Sequence, residues 1–185
     1  MSNNALAVTV GKPKIGGAVF RAPIGTTLPT DATTALAAAF EGMGYVSDDG
    51  VTNGNDMTIE NINAWGGDNV LNVLTEKRDT WKMVLIEAMN TEVLKTAYGD
   101  TNVSGTLTTG IAVTVNNKPQ EAHSYVIDMI YNNNAVKRVV LPYATVTELA
   151  EIVYADGEAV GYDVTLSCTP DASGNTHYEY IKTVS

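Results

Sequence analysis

Few side chains in this sequence have a spacing that could support chemistry, and the nearest match is to a calcium-binding loop. If Asp49 is taken as position one, Asn53 falls at position five and Glu60 at position twelve, where an EF-hand loop supplies oxygen ligands. Position three is then Val51, whose side chain offers no oxygen. We therefore interpret these residues as turn residues of an exposed loop and not as a metal site.

The other reactive residues do not form a catalytic pattern. His123 and His177 lie far apart in the sequence with no nucleophile pattern near either, and Cys168 falls on an alternating apolar face, as a small core residue would. The adjacent carboxylates of Asp48 and Asp49 lie on a predicted turn, which is a poor place for a matched general acid and base. We therefore expect neither an enzyme nor a bound cofactor.

Composition limits the class of protein further. The chain has 185 residues, which suits a single domain with its own core. Its net charge of -10 argues against a module that grips nucleic acid, because such a grip needs clustered Lys and Arg. One cysteine permits no internal disulfide. We see neither a secretory leader nor an apolar run of about 20 residues, so we expect no export and no membrane span.

Alternating apolar residues predict a mainly β protein, an antiparallel β-sandwich or barrel with one or two short flanking α-helices and a long inter-strand loop. The predicted helices cover residues 32–40, after an N-cap at Asp31, and 91–98, after an N-cap at Asn90. We expect a tight turn at residues 78–79 and the end of a strand at Pro142. Predicted strands occupy residues 17–21, 45–46, 70–77, 81–89, 107–115, 124–131, 136–141, 160–168 and 177–181.

The predicted organisation is an N-terminal arm at residues 1–15 and a single β domain at residues 16–185. In the arm, Leu6, Val8 and Val10 alternate with smaller residues, which favours a short strand. That strand could pair with the sheet of its own chain or with that of a neighbouring subunit. Residues 47–69 are predicted to protrude from the domain as a polar loop.

The protruding loop lies in an acidic interval. No Lys or Arg occurs between Arg21 and Lys77, whereas eight acids do. A long acidic loop in a compact β domain is usually functional, so we expect a partner for it. Trp65, which precedes Gly66 and Gly67, could pack back on its own domain or could anchor a subunit interface, where Trp is enriched.

Five segments, taken in order and spacing, resemble the major tail tube proteins of long non-contractile-tailed phages. They are GKPKIGGAVFRAPIGTTLPTDAT, GYVSDDGV, ENINAWGGD, TEKRDTW and DASGNTHYEY. The resemblance covers nearly the whole chain. It implies a β-sandwich or barrel with a flanking helix, six subunits closing into a ring, and rings stacking into a tube through which DNA leaves the capsid.

The resemblance also implies roles for particular segments. In this family a long loop between early strands and a terminal arm bridge the rings. By position, the residues expected at a subunit or ring-stacking interface are Asp48, Asp49, Asn53, Asp56, Glu60, Trp65, Asp68, Lys12 and Lys14. Implied partners are further copies of the chain, tape-measure and terminator proteins, and genomic DNA passing through an acidic lumen without specific binding. The implied location is the virion tail, assembled in the host cytoplasm.

The residues themselves leave one alternative open. A β-sandwich that binds carbohydrate or calcium would also carry a turn-rich loop with Asp49, Asn53 and Glu60, together with exposed aromatic side chains such as Trp65 and Tyr154.

Overall fold

The computed structural model describes residues 3–132 and 134–184, and in that part of the chain it has eleven strands and one α-helix. The strands before the helix are β1 (Lys12–Pro13), β2 (Val19–Pro23), β3 (Glu41–Gly42), β4 (Val46–Asn63) and β5 (Asn69–Leu85). The helix is α1 (Thr91–Tyr98). After it come β6 (Val103–Ser104), β7 (Ala112–Val113), β8 (His123–Ile130), β9 (Ala135–Leu149), β10 (Tyr162–Cys168) and β11 (Tyr178–Thr183). The predicted mainly β, antiparallel fold is confirmed.

Nine strands form one antiparallel sheet. Its order is β3-β2-β8-β9-β10-β5-β4, with β1 added to β8 and β11 added to β9, while β6 and β7 form a separate pair. The central strand is β9, because β8 pairs along one of its edges and two strands share the other. Its first half pairs with β11 and its second half with β10, so one long strand joins the two parts of the sheet.

Both faces of the central strands are buried, and they serve two apolar cores. The larger core collects side chains from β2, β5, β8, β9, β10 and α1, and the smaller core lies on the opposite face of β8 and β9. Successive residues of a strand point to opposite faces. Tyr125 and Ile127 accordingly enter the larger core, whereas Val126 enters the smaller one beside Val140.

Helix α1 begins and ends where its capping residues predict. The Asn90 side chain accepts a hydrogen bond from the backbone N–H of Glu92 at 3.0 Å. Gly99 follows the last turn with a φ of 98°, and its N–H donates to the Lys95 carbonyl at 2.7 Å. The buried residues Val93, Leu94 and Ala97 fasten the helix to the larger core.

The other predicted helix, at residues 32–40, is absent from the described structure. The Asp31 carboxylate does accept the N–H groups of Thr33 and Thr34, at 2.6 and 2.7 Å, as an N-cap would. However, the Arg138 guanidinium donates to the carbonyls of Asp31 and Thr34, at 3.2 and 2.7 Å. A continuing helix would need those carbonyls for its own hydrogen bonds, so the tertiary contact holds the segment as a turn.

Several strand boundaries also differ from prediction. Pro142 lies within β9 and does not end it, and residues 78–79 lie inside β5 and form no turn. Of residues 107–115, only Ala112–Val113 form a strand, since the Thr106 and Thr109 side chains bond to each other's backbone and turn the chain instead. Asn133, between β8 and β9 in the sequence, lies outside the described residues.

The N-terminal arm pairs with the sheet of its own chain, but not through the predicted residues. Residues 5–7 form a 3-10 turn and Val8 and Val10 are exposed, so a strand at residues 6–10 is wrong. The pairing uses β1, in which Lys12 faces Ile130 of β8. Within residues 3–132 and 134–184, no helix is long and apolar enough to cross a bilayer.

Candidate assembly surface

Strands β4 and β5 form a long hairpin where the sequence predicted a polar loop. Their register runs from the pair Val51 and Met83 to the pair Asn63 and Asn69. The turn at its tip is closed by the Ala64 N–H, which donates to the Asp68 carbonyl at 2.7 Å. Residues 47–69 were predicted as a protruding polar loop, but residues up to 63 form β4. Its Asn and Gly residues have low strand propensity alone, yet from Val51 to Asn63 the strand pairs with the Val- and Leu-rich β5.

The hairpin leaves the body of the protein at Asp79. Every residue from 55 to 78 is exposed, whereas Asp79, Trp81 and Met83 of the same strand are buried. Strand β5 is therefore half core strand and half projecting strand. At about 3.3 Å per residue, the projecting part extends roughly 30 Å beyond the domain. We call residues 55–78 the free hairpin.

Both faces of the free hairpin carry large apolar side chains. Cross-strand partners share a face, so Ile59 lies beside Leu74 on one face and Ile62 beside Leu71 on the other. A two-stranded hairpin is marginally stable by itself in water, and contiguous exposed apolar surface marks an interaction site. The apolar side chains, each 38–61% exposed, are Met57, Ile59, Ile62, Val70, Leu71, Val73 and Leu74.

Trp65 occupies the tip of the free hairpin and is fully exposed, at 107% of its reference area. It lies between Ala64 and Gly66, in a turn whose two glycines adopt φ values of 116° and 99°. Such backbone angles suit glycine and few other residues, so the tight turn that presents the indole depends on them. Of the two alternatives for Trp65, packing on its own domain is excluded in the single chain, because the indole is fully exposed. A role in a subunit interface stays a prediction.

A buried polar network lies at the root of the free hairpin. The Asp79 carboxylate, 2% exposed, accepts from the Asn53 side chain of β4 at 2.8 Å. Its other oxygen bonds to Nδ1 of His177, just before β11, at 2.5 Å. The His177 ring stands edge-on to Trp81 at 5.5 Å. The network therefore ties both hairpin strands to the C-terminal segment at the point where the hairpin leaves the core.

The ionised form of Asp79 is favoured despite its burial. Burial by itself raises the pKa of this carboxyl, but hydrogen bonds from Thr176, His177 and Asn53 outweigh it and hold the pKa below its ordinary value. Sequence reasoning missed Asp79 because residues 78–79 were interpreted as a turn. The signal was present, since Asp79 alternates in register with Trp81, Met83 and Leu85 and so shares their buried face.

The acidic residues predicted for an interface separate into two groups. Asp56, Glu60 and Asp68 lie on the free hairpin with Trp65, and all four are exposed. Asp48 and Asp49 are also exposed, but they lie near the start of β4, where the register shifts beside Gly50.

Asn53 faces inward, and its side-chain N–H groups donate to the Asp79 carboxylate and to the Thr80 carbonyl. The calcium-loop spacing does not produce a loop. Nine residues of extended strand, roughly 30 Å, separate Val51 from Glu60, so Asp49 and Glu60 cannot converge on one ion.

The two predicted lysines lie elsewhere in the sheet. Lys12 belongs to β1 and pairs beside β8, which β9 and β10 separate from the hairpin. The Lys14 ammonium lies 3.3 Å from the Asp128 carboxylate. The same carboxylate accepts two hydrogen bonds from Arg138 of the neighbouring strand, at 2.7 and 2.8 Å. Within one chain, therefore, the arm and the free hairpin form two distinct surfaces.

The histidine at the start of β8 is buried. His123 is 7% exposed and bonds through Nε2 to Asp100 at 3.0 Å. The buried Arg21 contacts that ring and that carboxylate, and also reaches Glu92 of α1 at 3.5 Å. Burial raises the pKa of Asp100, but the hydrogen bond and the positive charge of Arg21 outweigh this effect, so the pKa lies below its ordinary value. The cluster links α1 to β2 and β8.

Comparison with known proteins gives one family match. The family model described as phage tail tube protein matches residues 1–184 of the chain. No curated protein matches it.

Proposed function

The chain belongs to the phage tail tube protein family, and from that premise we propose that it is a non-enzymatic structural protein whose copies close into six-membered rings and stack into the tail tube. Membership makes it a structural component of the virion tail. The hexameric ring, the stacking and the passage of DNA are the proposal. It includes contacts with tape-measure and terminator proteins at the tube ends and assembly in the host cytoplasm.

One observation carries the proposal: the free hairpin has apolar side chains on both faces and no core of its own. In water, such a hairpin lacks the third strand or packed layer that would stabilise it. A neighbouring copy can supply that layer, and β4, the last strand of the sheet within the described residues, offers an edge for further pairing. A head-to-tail contact of this kind closes into a ring or continues as an open stack, according to the rotation between copies.

The proposed tube has an acidic bore. Residues 22–76 contain eight acids and residues 139–181 contain seven, and neither interval contains Lys or Arg. Like charge repels the phosphate backbone, so DNA would slide through without sticking, whereas a lysine-rich wall would hold it through counterion release. The acids of the free hairpin are candidates for the wall: Asp56, Glu60, Asp68 and Glu76.

Electron microscopy of the purified full-length chain tests the proposal. We expect rings with six-fold symmetry that stack into tubes, and no binding of duplex DNA by those tubes at moderate salt. Particles that stay monomeric under all conditions that promote tail assembly would contradict the assembly, and tubes that retain DNA would contradict the acidic bore.

A further inference from the structure

A surface groove beside the N-terminal arm has the size and chemistry to hold an indole ring. The groove encloses about 510 Å³, within the usual range for small-ligand sites. Its principal walls are Pro13, Ile15, Gly17, Tyr45, Val46 and Glu87. Ile15 is 94% exposed and Tyr45 is 75% exposed, so both offer apolar area that nothing in the described chain covers.

The rim of the groove is held in place by the backbone. The Lys14 N–H donates to the Asp128 carbonyl at 3.3 Å, and the Gly17 N–H donates to the Lys14 carbonyl at 3.2 Å. The second bond closes a turn with Ile15 and Gly16 at its apex, Gly16 at a φ of 93°, and the first bond fixes that turn to β8. The rim is therefore a built turn of the fold and not a frayed terminus.

A carboxylate lies in the groove with capacity to spare. Glu87 accepts the Tyr45 N–H at 3.0 Å and the Asn90 side chain at 3.1 Å. An ionised carboxylate has about four lone-pair sites, so it can accept a further N–H. The donor that suits an apolar groove with one acceptor is an indole, whose ring is apolar and whose N–H needs a partner once buried.

We propose that the groove receives the tip of the free hairpin of a second copy of this chain, with Trp65 inserted between Ile15 and Tyr45 and its indole N–H donated to Glu87. This inference rests on the proposed tube and specifies one contact within it. The indole of Trp65 is fully exposed in the single chain. Docking would remove it and the rim of the groove from water together.

Charge favours the same pairing. Residues 56–76 carry four acids and no base, whereas residues 3–17 carry Lys12 and Lys14 and no acid. Lys14 already contacts Asp128 and Glu87 lies in the groove, so the charge available to the acidic tip is mainly that of Lys12. A tip-to-tip contact would instead bring like charges together and is disfavoured.

The geometry requires that the contact be between copies. Val46 begins β4 and lines the groove, whereas Trp65 lies beyond Asn63 at the other end of that strand. Seventeen residues of strand, roughly 55 Å at about 3.3 Å per residue, separate the two ends, so the tip cannot reach the groove of its own chain. A displacement along the strand brings the tip of one copy to the groove of the next, and this step can repeat without end.

Cross-linking in trans tests the contact. One protein carries Ala64→Cys beside Trp65, the other carries Ile15→Cys on the groove rim, and a short bis-maleimide is added to their mixture under conditions in which wild-type protein forms tubes. Both positions are exposed, so the fold should tolerate the changes. The native Cys168 is buried, which raises the pKa of its thiol to about 12 and keeps it unreactive.

We expect a cross-linked dimer at least tenfold more abundant than in a control mixture of Ala64→Cys with Tyr154→Cys, since Tyr154, at 73% exposed, is also accessible to the reagent but does not line the groove. Trp65→Ala should reduce tube formation at least tenfold, whereas Tyr154→Ala should not. If wild-type protein forms tubes but the cross-link stays at the control level, groove docking is overturned and the tube proposal stands. If wild-type protein never assembles, the tube proposal itself fails, and this contact with it.

Discussion

Removal of the free hairpin should separate folding from assembly. Asn55 and Asp79 face each other across the hairpin, so residues 56–78 can be replaced by a two-residue Asn-Gly turn between them. The shortened chain keeps Asn53, Asp79 and the buried part of β5. A deletion closer to the body would be a poorer test, because Val51 packs on the larger core and Asn53 bonds to Asp79.

The expected effect on stability is small. Every deleted residue is exposed and none belongs to either core, so the free energy of unfolding should change by about 1 kcal/mol or less. The urea m-value should fall little, because it scales with the surface that unfolding exposes. Leu166→Ala is the matched contrast. This side chain is fully buried in the larger core, and its truncation should cost about 2–5 kcal/mol.

The expected effect on assembly is large. Full burial of one large aliphatic side chain contributes about 1.5–3 kcal/mol. The seven apolar side chains of the free hairpin are each roughly half exposed, so complete burial would add about 1 kcal/mol apiece, or about 7 kcal/mol per subunit. Association costs about 4–15 kcal/mol in lost freedom. The free energy of one such contact is barely enough to hold two subunits together. A ring that stacks as one rigid body forms this contact at every subunit, whereas it loses its freedom of motion only once.

Urea unfolding monitored by circular dichroism and sedimentation of assembled particles provide the two readouts. The shortened chain should unfold at nearly the wild-type midpoint and should form no tubes at concentrations where the wild-type chain does. Full-length tubes from the shortened chain would refute the role given to the hairpin. Loss of cooperative unfolding would refute the claim that the body folds without it.

Three further predictions concern the body of the domain. Arg138→Ala leaves a buried carboxylate without its bidentate donor and should lower the free energy of unfolding by about 3–5 kcal/mol in urea titrations. The pKa of Asp79 is lower in the folded state than its ordinary value of 3.8, so the ionised carboxylate stabilises the fold above that pH. This stabilisation is lost as the pH falls through the folded-state pKa. In Asp79→Asn, the free energy of unfolding should therefore depend less on pH below about pH 4. Gly44→Ala should lower the free energy of unfolding by about 1–3 kcal/mol, because Gly44 has a φ of 70° and an added Cβ would lie 2.0 Å from the Glu87 carboxyl carbon. Gly25→Ala is the control. Gly25 has a φ of 91° but an added Cβ meets no atom within 4 Å, so only the strain of the backbone angle should destabilise it.

The parts of the fold that could be predicted from sequence are those in which local pattern and tertiary environment agree. Helix α1 has its capping Asn90, its apolar stripe and its terminal Gly99, and it formed as expected. Strand β10 alternates from Tyr162 to Cys168, and its burial alternates with it. In these segments the apolar residues recur in the sequence with the same period as the buried residues in the structure, so the sequence alone predicts the element.

Errors arose where a distant partner overrides the local signal. The cap at Asp31 is real, but Arg138, more than 100 residues away, takes the carbonyls that a helix would use. Strand β4 carries turn-like Asn and Gly residues, and only its pairing with β5 makes it a strand. The interface roles of Asn53 and Lys14 stay predictions. Within the chain Asn53 bonds to Asp79 and Lys14 contacts Asp128, and these contacts depend on which strands become neighbours.

The position of Asp79 explains how one strand can serve both a stable domain and an assembly. Toward its C-terminal end, β5 packs Trp81, Met83 and Leu85 into the core; in the other direction its side chains have no core to enter. The carboxylate at the boundary holds the opposite strand through Asn53 and the C-terminal segment through His177. Without these two hydrogen bonds of Asp79, fraying of the free hairpin would continue into the core strands. With them, disorder of the hairpin in a lone chain costs the domain little, and the ordering of the hairpin can be coupled to contact with the next copy.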